Sequence, residues 1–120
     1  MKLIIAGTRT IDSDFAYGEC VKWKAANRDK IVTEVVSGGC RGVDSAGEAF
    51  AFYHNIQIAI CRADWKTYGK KAGPIRNRKM ALYADALLLI WDGKSKGSLN
   101  MKQQMETLGK PVFEIIARET

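Results

Sequence analysis

The chain reads as an α/β protein: one doubly wound parallel sheet of five strands, with helices on both faces. Three observations lead there. Five short apolar, β-branched runs punctuate the 120 residues. Apolar positions at helical spacing fill the intervals between them. Most of the runs lack the polar alternation of a half-exposed strand, which marks sheets covered on both faces and joined by crossover helices.

The first strand is Lys2 to Ala6. Met1 and Lys2 run directly into Leu3, Ile4 and Ile5, and then into Gly7 and Arg9 rather than a small-residue cleavage site, so the segment is a strand and not a signal peptide. Ser13 to Ala26 form a first helix carrying Gly18. The second strand is Val32 to Val36, after which Val43, Ala46, Phe50 and Tyr53 recur at helical spacing. The third strand is Ile56 to Cys61.

The stretch from Arg62 to Pro74 then mixes Trp65 and Tyr68 with lysines and glycines, which suits a loop that covers a ligand. Pro74 after Gly73 is a good first residue for the third helix. On that helix Arg76, Met80 and Tyr83 share one stripe. If the two apolar members face the sheet, Arg76 points inward near the rim, while Arg78 and Lys79 lie on other faces. Ala86 to Trp91 form the fourth strand. Met101, Met105 and Leu108 mark the fourth helix, with Ser98 as its N-cap, and Gly109-Lys110-Pro111 end it before a last strand over Val112 to Ile116. Right-handed crossovers favour the strand order 3-2-1-4-5, with 2-1-3-4-5 as the alternative.

Size and composition narrow the class. A chain of this length makes one domain, residues 1–120, able to bury roughly two thirds of its unfolded surface without metals or disulfides. The longest apolar stretch, Ala84 to Trp91, contains Asp85 and is too short to span a bilayer. Cys20, Cys40 and Cys61 are odd in number and widely spaced, which suits free thiols in a reducing cytoplasm. The single histidine, His54, falls at a helix end. No metal site and no cofactor are expected. Nineteen basic residues against thirteen acidic leave a net charge of +6, which attracts phosphates and polyanions alike.

In a parallel sheet the loops that follow strands gather on one edge, and the unusual residues fall there. Gly7-Thr8-Arg9 follow the first strand. Ser37, Gly38, Gly39, Cys40, Arg41, Gly42 and Asp44 follow the second, and Asp92, Gly93, Ser95, Gly97 and Ser98 follow the fourth. Glycines let the backbone approach a ligand closely, and free amides at the next helix amino terminus suit an anion. Asp64, Trp65, Arg76 and Asn77 complete the candidate set, Trp65 offering a ring to stack on a base and Arg76 a cation for phosphate. Neither the GxGxxG dinucleotide fingerprint nor the GxxxxGK[ST] phosphate loop is present.

The phrases IIAGTRT, VVSGGCRGVD, ADWKTYGKKAGPIRNRKM, YADALLLIWDGKSKGS and KPVFEI carry a resemblance over essentially the whole chain. It resembles the YspA-like family of the SLOG superfamily. That resemblance implies a Rossmann-like fold that binds nucleotides or nucleotide-derived ligands, often as a homodimer. The superfamily also holds the cytokinin-activating phosphoribohydrolases and the DNA-uptake protein DprA. Arg76, Met80 and Ala84-Asp85-Ala86 match the arginine, methionine and ADA of the phosphoribohydrolases. Their PGGxGTxxE segment is replaced by the longer WDGKSKGS, and Leu99, Asn100 and Met101 stand where their glutamate is expected.

Three functions follow as expectations. The first is a binder of a nucleotide or ADP-ribose-like ligand at the carboxyl edge of the sheet, acting as sensor, sponge or carrier. The second is a hydrolase of N-glycosidic bonds in nucleoside phosphates, with Asp44 or Asp92 as the acid-base carboxylate; either aspartate equally suits a ribose hydroxyl. The third is nucleic-acid binding in the manner of DprA, through Lys66, Lys70, Lys71, Arg76, Arg78 and Lys79.

Overall fold

A computed structural model describes residues 1–117. Five parallel strands are arranged in the order β3-β2-β1-β4-β5, the first of the two orders expected. They are β1 (Lys2–Gly7), β2 (Glu34–Ser37), β3 (Gln57–Ile60), β4 (Ala86–Trp91) and β5 (Val112–Ile116). The helices are α1 (Ser13–Ala26), α2 (Val43–Tyr53), α3 (Trp65–Tyr68), α4 (Ala72–Tyr83) and α5 (Lys96–Thr107), with a 3-10 turn at Gly69–Lys71 between α3 and α4. Among the described residues, no helix is long and apolar enough to cross a membrane.

Alternation along the strands builds two cores. Leu3, Ile5, Val35, Leu88 and Ile90 pack against Ala16, Cys20 and Trp23 of α1 and Val43, Ala46 and Phe50 of α2. Ile4, Ala6, Val36, Leu87, Leu89 and Trp91 pack against Met80 and Ala81 of α4 and Met101 and Met105 of α5. Every residue of β4 is buried, which accounts for its unbroken apolar sequence. The edges differ: Ile58 and Ile60 of β3 and Ile116 of β5 are exposed, so the two-sided cover inferred from composition holds for the middle of the sheet only. Burial also pushes the Cys20 thiol up to about 12, leaving it inert.

Three local expectations need correction. The third helix starts at Ala72 and not Pro74, because the preceding stretch already coils into α3 and the 3-10 turn. Ser98 is not an N-cap: it lies in the first turn of α5, and Ser95 holds the cap position. Tyr83 does not face the sheet. Its ring is half exposed under the Lys2 ammonium, and its hydroxyl donates to Glu34.

The centre of the sheet depends on Gly7. It pairs with Ile90, and a Cβ there would stand 1.7 Å from the Ile90 carbonyl oxygen. Gly18, inside α1, faces open space. Gly7→Ala should therefore cost more than about 3 kcal/mol in chemical denaturation, whereas Gly18→Ala should add about 0.5–1 kcal/mol through helix propensity. Equal effects would contradict this packing.

Candidate functional site

In this strand order, the chain leaves β1 towards one side of the sheet and β4 towards the other. The loops after these adjacent strands diverge and open a crevice at their carboxyl ends. The Thr8 amide donates to the Ile90 carbonyl at 3.3 Å. The Thr8 hydroxyl lies 3.1 Å from that of Ser95 and accepts from the Asp92 amide at 3.2 Å, tying the two loops together.

Asp92 organises the rest of its turn. Its carboxylate accepts from the amides of Lys94 at 2.9 Å and Ser95 at 2.8 Å, and these bonds hold it below the usual carboxylate range. The turn delivers the amino end of α5 to the crevice without a side-chain cap. The first-turn amides of Lys96, Gly97 and Ser98 consequently have no acceptor within the helix.

Across the crevice, the loop between β2 and α2 is pinned from several sides. The buried Ser37 hydroxyl donates to Glu48 at 2.7 Å and accepts from the Gly39 amide at 3.0 Å. Arg76 donates to the Gly38 carbonyl at 2.8 Å, and Arg62 to that of Gly39 at 3.2 Å. A Cβ on Gly38 would lie 2.6 Å from Nη1 of Arg76 and 2.9 Å from Oδ2 of Asp44, so only glycine lets these two charged groups flank the backbone here.

Asn77, 5% exposed, joins this side to α5. It accepts from Nε of Arg76 at 3.0 Å and donates to the Gly97 carbonyl at 3.2 Å and to Oδ1 of Asn100 at 3.0 Å. Arg76 is thereby held by two of its donor groups, Nε and Nη1, with its remaining N–H groups free for a ligand.

These elements enclose a cleft of about 510 Å³. Ten of the residues expected from sequence line it: Gly7, Thr8, Arg9, Asp44, Trp65, Arg76, Asn77, Ser95, Gly97 and Ser98. Ser37, Gly38, Gly39 and Gly42 lie behind, shaping the loop that carries Asp44. Arg41 is exposed and does not line the cleft. Asp64 caps α3, accepting from the Thr67 amide at 3.1 Å. Asp92 and Gly93 line a separate cleft with Asp12, Phe15 and Ile116.

Lys96 and Asn100 were not among the site residues expected from sequence, Cys40 was named only as part of the loop after β2, and Lys70 was counted only in a basic cluster, yet all four line the cleft. The i, i+4 pair Lys96 and Asn100 was the signal within reach. Trp65 is half exposed at the mouth, its ring 3.3 Å from where a Cβ of Gly73 would sit.

Asp44 is the one carboxylate lining the cleft among the described residues. It is 6% exposed and accepts from the Cys40 amide at 3.2 Å. Burial raises its pKa to about 6; the Cys40 amide, Arg76 and Arg9 pull it down, and the Glu48 charge pushes it up. The folded chain thus holds a proton that the unfolded chain releases from an ordinary value of 3.8. The stability linked to that proton is complete below the lower value and is lost as pH rises through the upper one. Asp44→Asn should therefore gain on the order of 2 kcal/mol over the wild type at pH 8 and nothing at pH 3.5, measured by denaturant midpoint. A variant less stable at pH 8 would contradict this environment.

No protein-family model matches the chain. The X-ray structure of DNA processing protein A (DprA) from Streptococcus pneumoniae superimposes on 97% of this chain with a TM-score of 0.75 and 18% identity. That likeness establishes a Rossmann-like fold, and this chain spans 50% of the DprA chain. The Gene 61 protein of Mycobacterium phage D29 is 36% identical over an alignment of 85 residues that covers 66% of this chain and 68% of that protein. The chain accordingly belongs to the family of the Gene 61 protein of phage D29.

Proposed function

We propose that the chain is a single ligand-binding domain of the SLOG type, close to its YspA-like branch, that takes a nucleotide or nucleotide-derived ligand in the cleft between the loops of β1 and β4. The observation that carries this reading is the uncapped amino end of α5 beside Arg9, Lys96 and Arg76, in a cleft with one carboxylate. Free amides at a helix amino terminus and converging cations favour phosphate. The half-exposed Trp65 ring supplies a face for a base, and Asp44 an acceptor for ribose hydroxyls. In this reading the protein works as a sensor, sponge or carrier. The homodimer that the resemblance implies has a suitable surface in the unpaired edge of β3, where Ile58 and Ile60 are exposed.

A second reading rests on Asp44. A cleft carboxyl with a pKa near 6, beside Arg76, suits acid-base work on an N-glycosidic bond. Asp92 suits it less, since it lines the separate cleft and its Oδ1 is held by the amides of Lys94 and Ser95. The third reading, nucleic acid, draws on the exposed Lys66, Lys70, Lys71, Arg78 and Lys79 and on the likeness to a DNA processing protein.

One experiment separates them: thermal unfolding with nucleotides, NAD, ADP-ribose and a short oligonucleotide, each sample also assayed for released base. A ligand at one hundred times its dissociation constant adds about 2.7 kcal/mol, and Arg76→Ala should abolish the shift. Base release that Asp44→Asn removes would favour the hydrolase. A shift with the oligonucleotide alone, lost at high salt, would replace the cleft reading with nucleic acid.

A further inference from the structure

The charge of the chain is concentrated at one edge. Eleven basic and five acidic residues lie in segments 8–14, 38–44, 61–79 and 92–96, which follow strands, and the remainder of the sequence holds eight of each. Most of the net positive charge thus lies in the loops at the carboxyl edge of the sheet and in the first two turns of α4.

Within the cleft, Arg9, Lys70, Arg76 and Lys96 come from four different elements, and Asp44 alone opposes them. Among the described residues, none of the four forms an ion pair. They fall into two groups. Arg9 and Lys96 directly follow Thr8 and Ser95, whose hydroxyls touch at 3.1 Å, so both arise beside the amino end of α5. Lys70 and Arg76 belong to the opposite wall, on either side of the amino end of α4, which likewise has no side-chain cap.

A side chain also awaits a partner. Ser98 lines the cleft, is 6% exposed, and its hydroxyl makes no hydrogen bond among the described residues. The oxygen itself keeps contact with solvent, since Trp23 Nε1 is the one fully buried side-chain polar atom without a partner among the described residues, so a bound acceptor would replace water at Ser98.

A terminal phosphate carries about −1.5 to −2 at pH 7. One such group answers one pair of cations and leaves the other pair facing it unneutralised. Resting on the nucleotide reading above, we propose that the ligand carries a phosphate chain of two or more units. One phosphate sits at the first turn of α5, on the amides of Gly97 and Ser98, the Ser98 hydroxyl, Arg9 and Lys96; the next reaches Lys70 and Arg76. The site therefore selects nucleoside di- or triphosphates over monophosphates.

Isothermal titration at fixed ionic strength tests this with AMP, ADP and ATP, with GMP, GDP and GTP, and with pyrophosphate and tripolyphosphate. Within the series that binds, the diphosphate should bind at least about tenfold tighter than the monophosphate, the equivalent of one charge-assisted contact. Lys70→Ala should shrink that ratio, and Lys24→Ala, on the far end of α1, should leave it intact. A monophosphate that binds as tightly as its diphosphate overturns the chain-length inference and leaves the nucleotide reading standing. Binding by neither series overturns both. Tripolyphosphate binding as tightly as ATP supports the phosphate chain and removes the nucleoside from the reading.

Discussion

Gly7 and Ile90 meet at the centre of the sheet, where the β1 backbone runs so close to the β4 carbonyl that no side chain fits between them. The site follows from that contact. It sets the height at which the two loops leave the sheet, and so lets the Thr8 hydroxyl reach both the Asp92 amide and Ser95. The Asp92 turn then fixes where α5 begins. Since the crossovers from this pair go to opposite faces, the space above it stays open, and one backbone contact positions both floor and wall of the cleft.

The opposite wall is held by polar bonds more than by packing. Asn77 is a buried hub between Arg76 and the first turn of α5, and Gly38 allows Arg76 and Asp44 to stand on either side of the same backbone. The Asp44 carboxylate is expensive where it is: burial resists its charge, and Arg76 and Arg9 offset only part of that cost. Local departures from the most stable choice, together with four cations that have no ion-pair partner among the described residues, are the pattern expected of a binding site and not of a core.

Much of this was legible in the sequence, for identifiable reasons. β4 and β5 begin and end where their apolar runs do, and α1 spans the residues expected, because Asp12 and Asn27 bound it with polar groups. The strand order is the first of the two that chain direction favoured, and Arg76 does reach the cleft, although the stripe used to place it included Tyr83, which faces away from the sheet. What escaped reading depended on tertiary contacts. Ser98 looks like a cap, but Asp92, six residues earlier, organises the turn and moves the helix start forward. The stretch before α4 reads as a loop, yet Asp64 nucleates α3 there. Ser37 reads as a ligand group but turns inward to Glu48, and Gly7 is visible as a loop glycine while its contact with Ile90 is not.

On the proposed reading, the cleft between the β1 and β4 loops receives the anionic ligand. Amide chemical-shift mapping by NMR during a titration with ADP tests it most directly. The largest perturbations should fall on Arg9, Lys96, Gly97 and Ser98, with the Trp65 indole and the Asn77 side-chain amide responding at the same ligand concentrations. Perturbations centred on Asp12, Phe15 and Gly93, or on the β3 edge at Ile58 and Ile60, would place the ligand elsewhere and contradict the account.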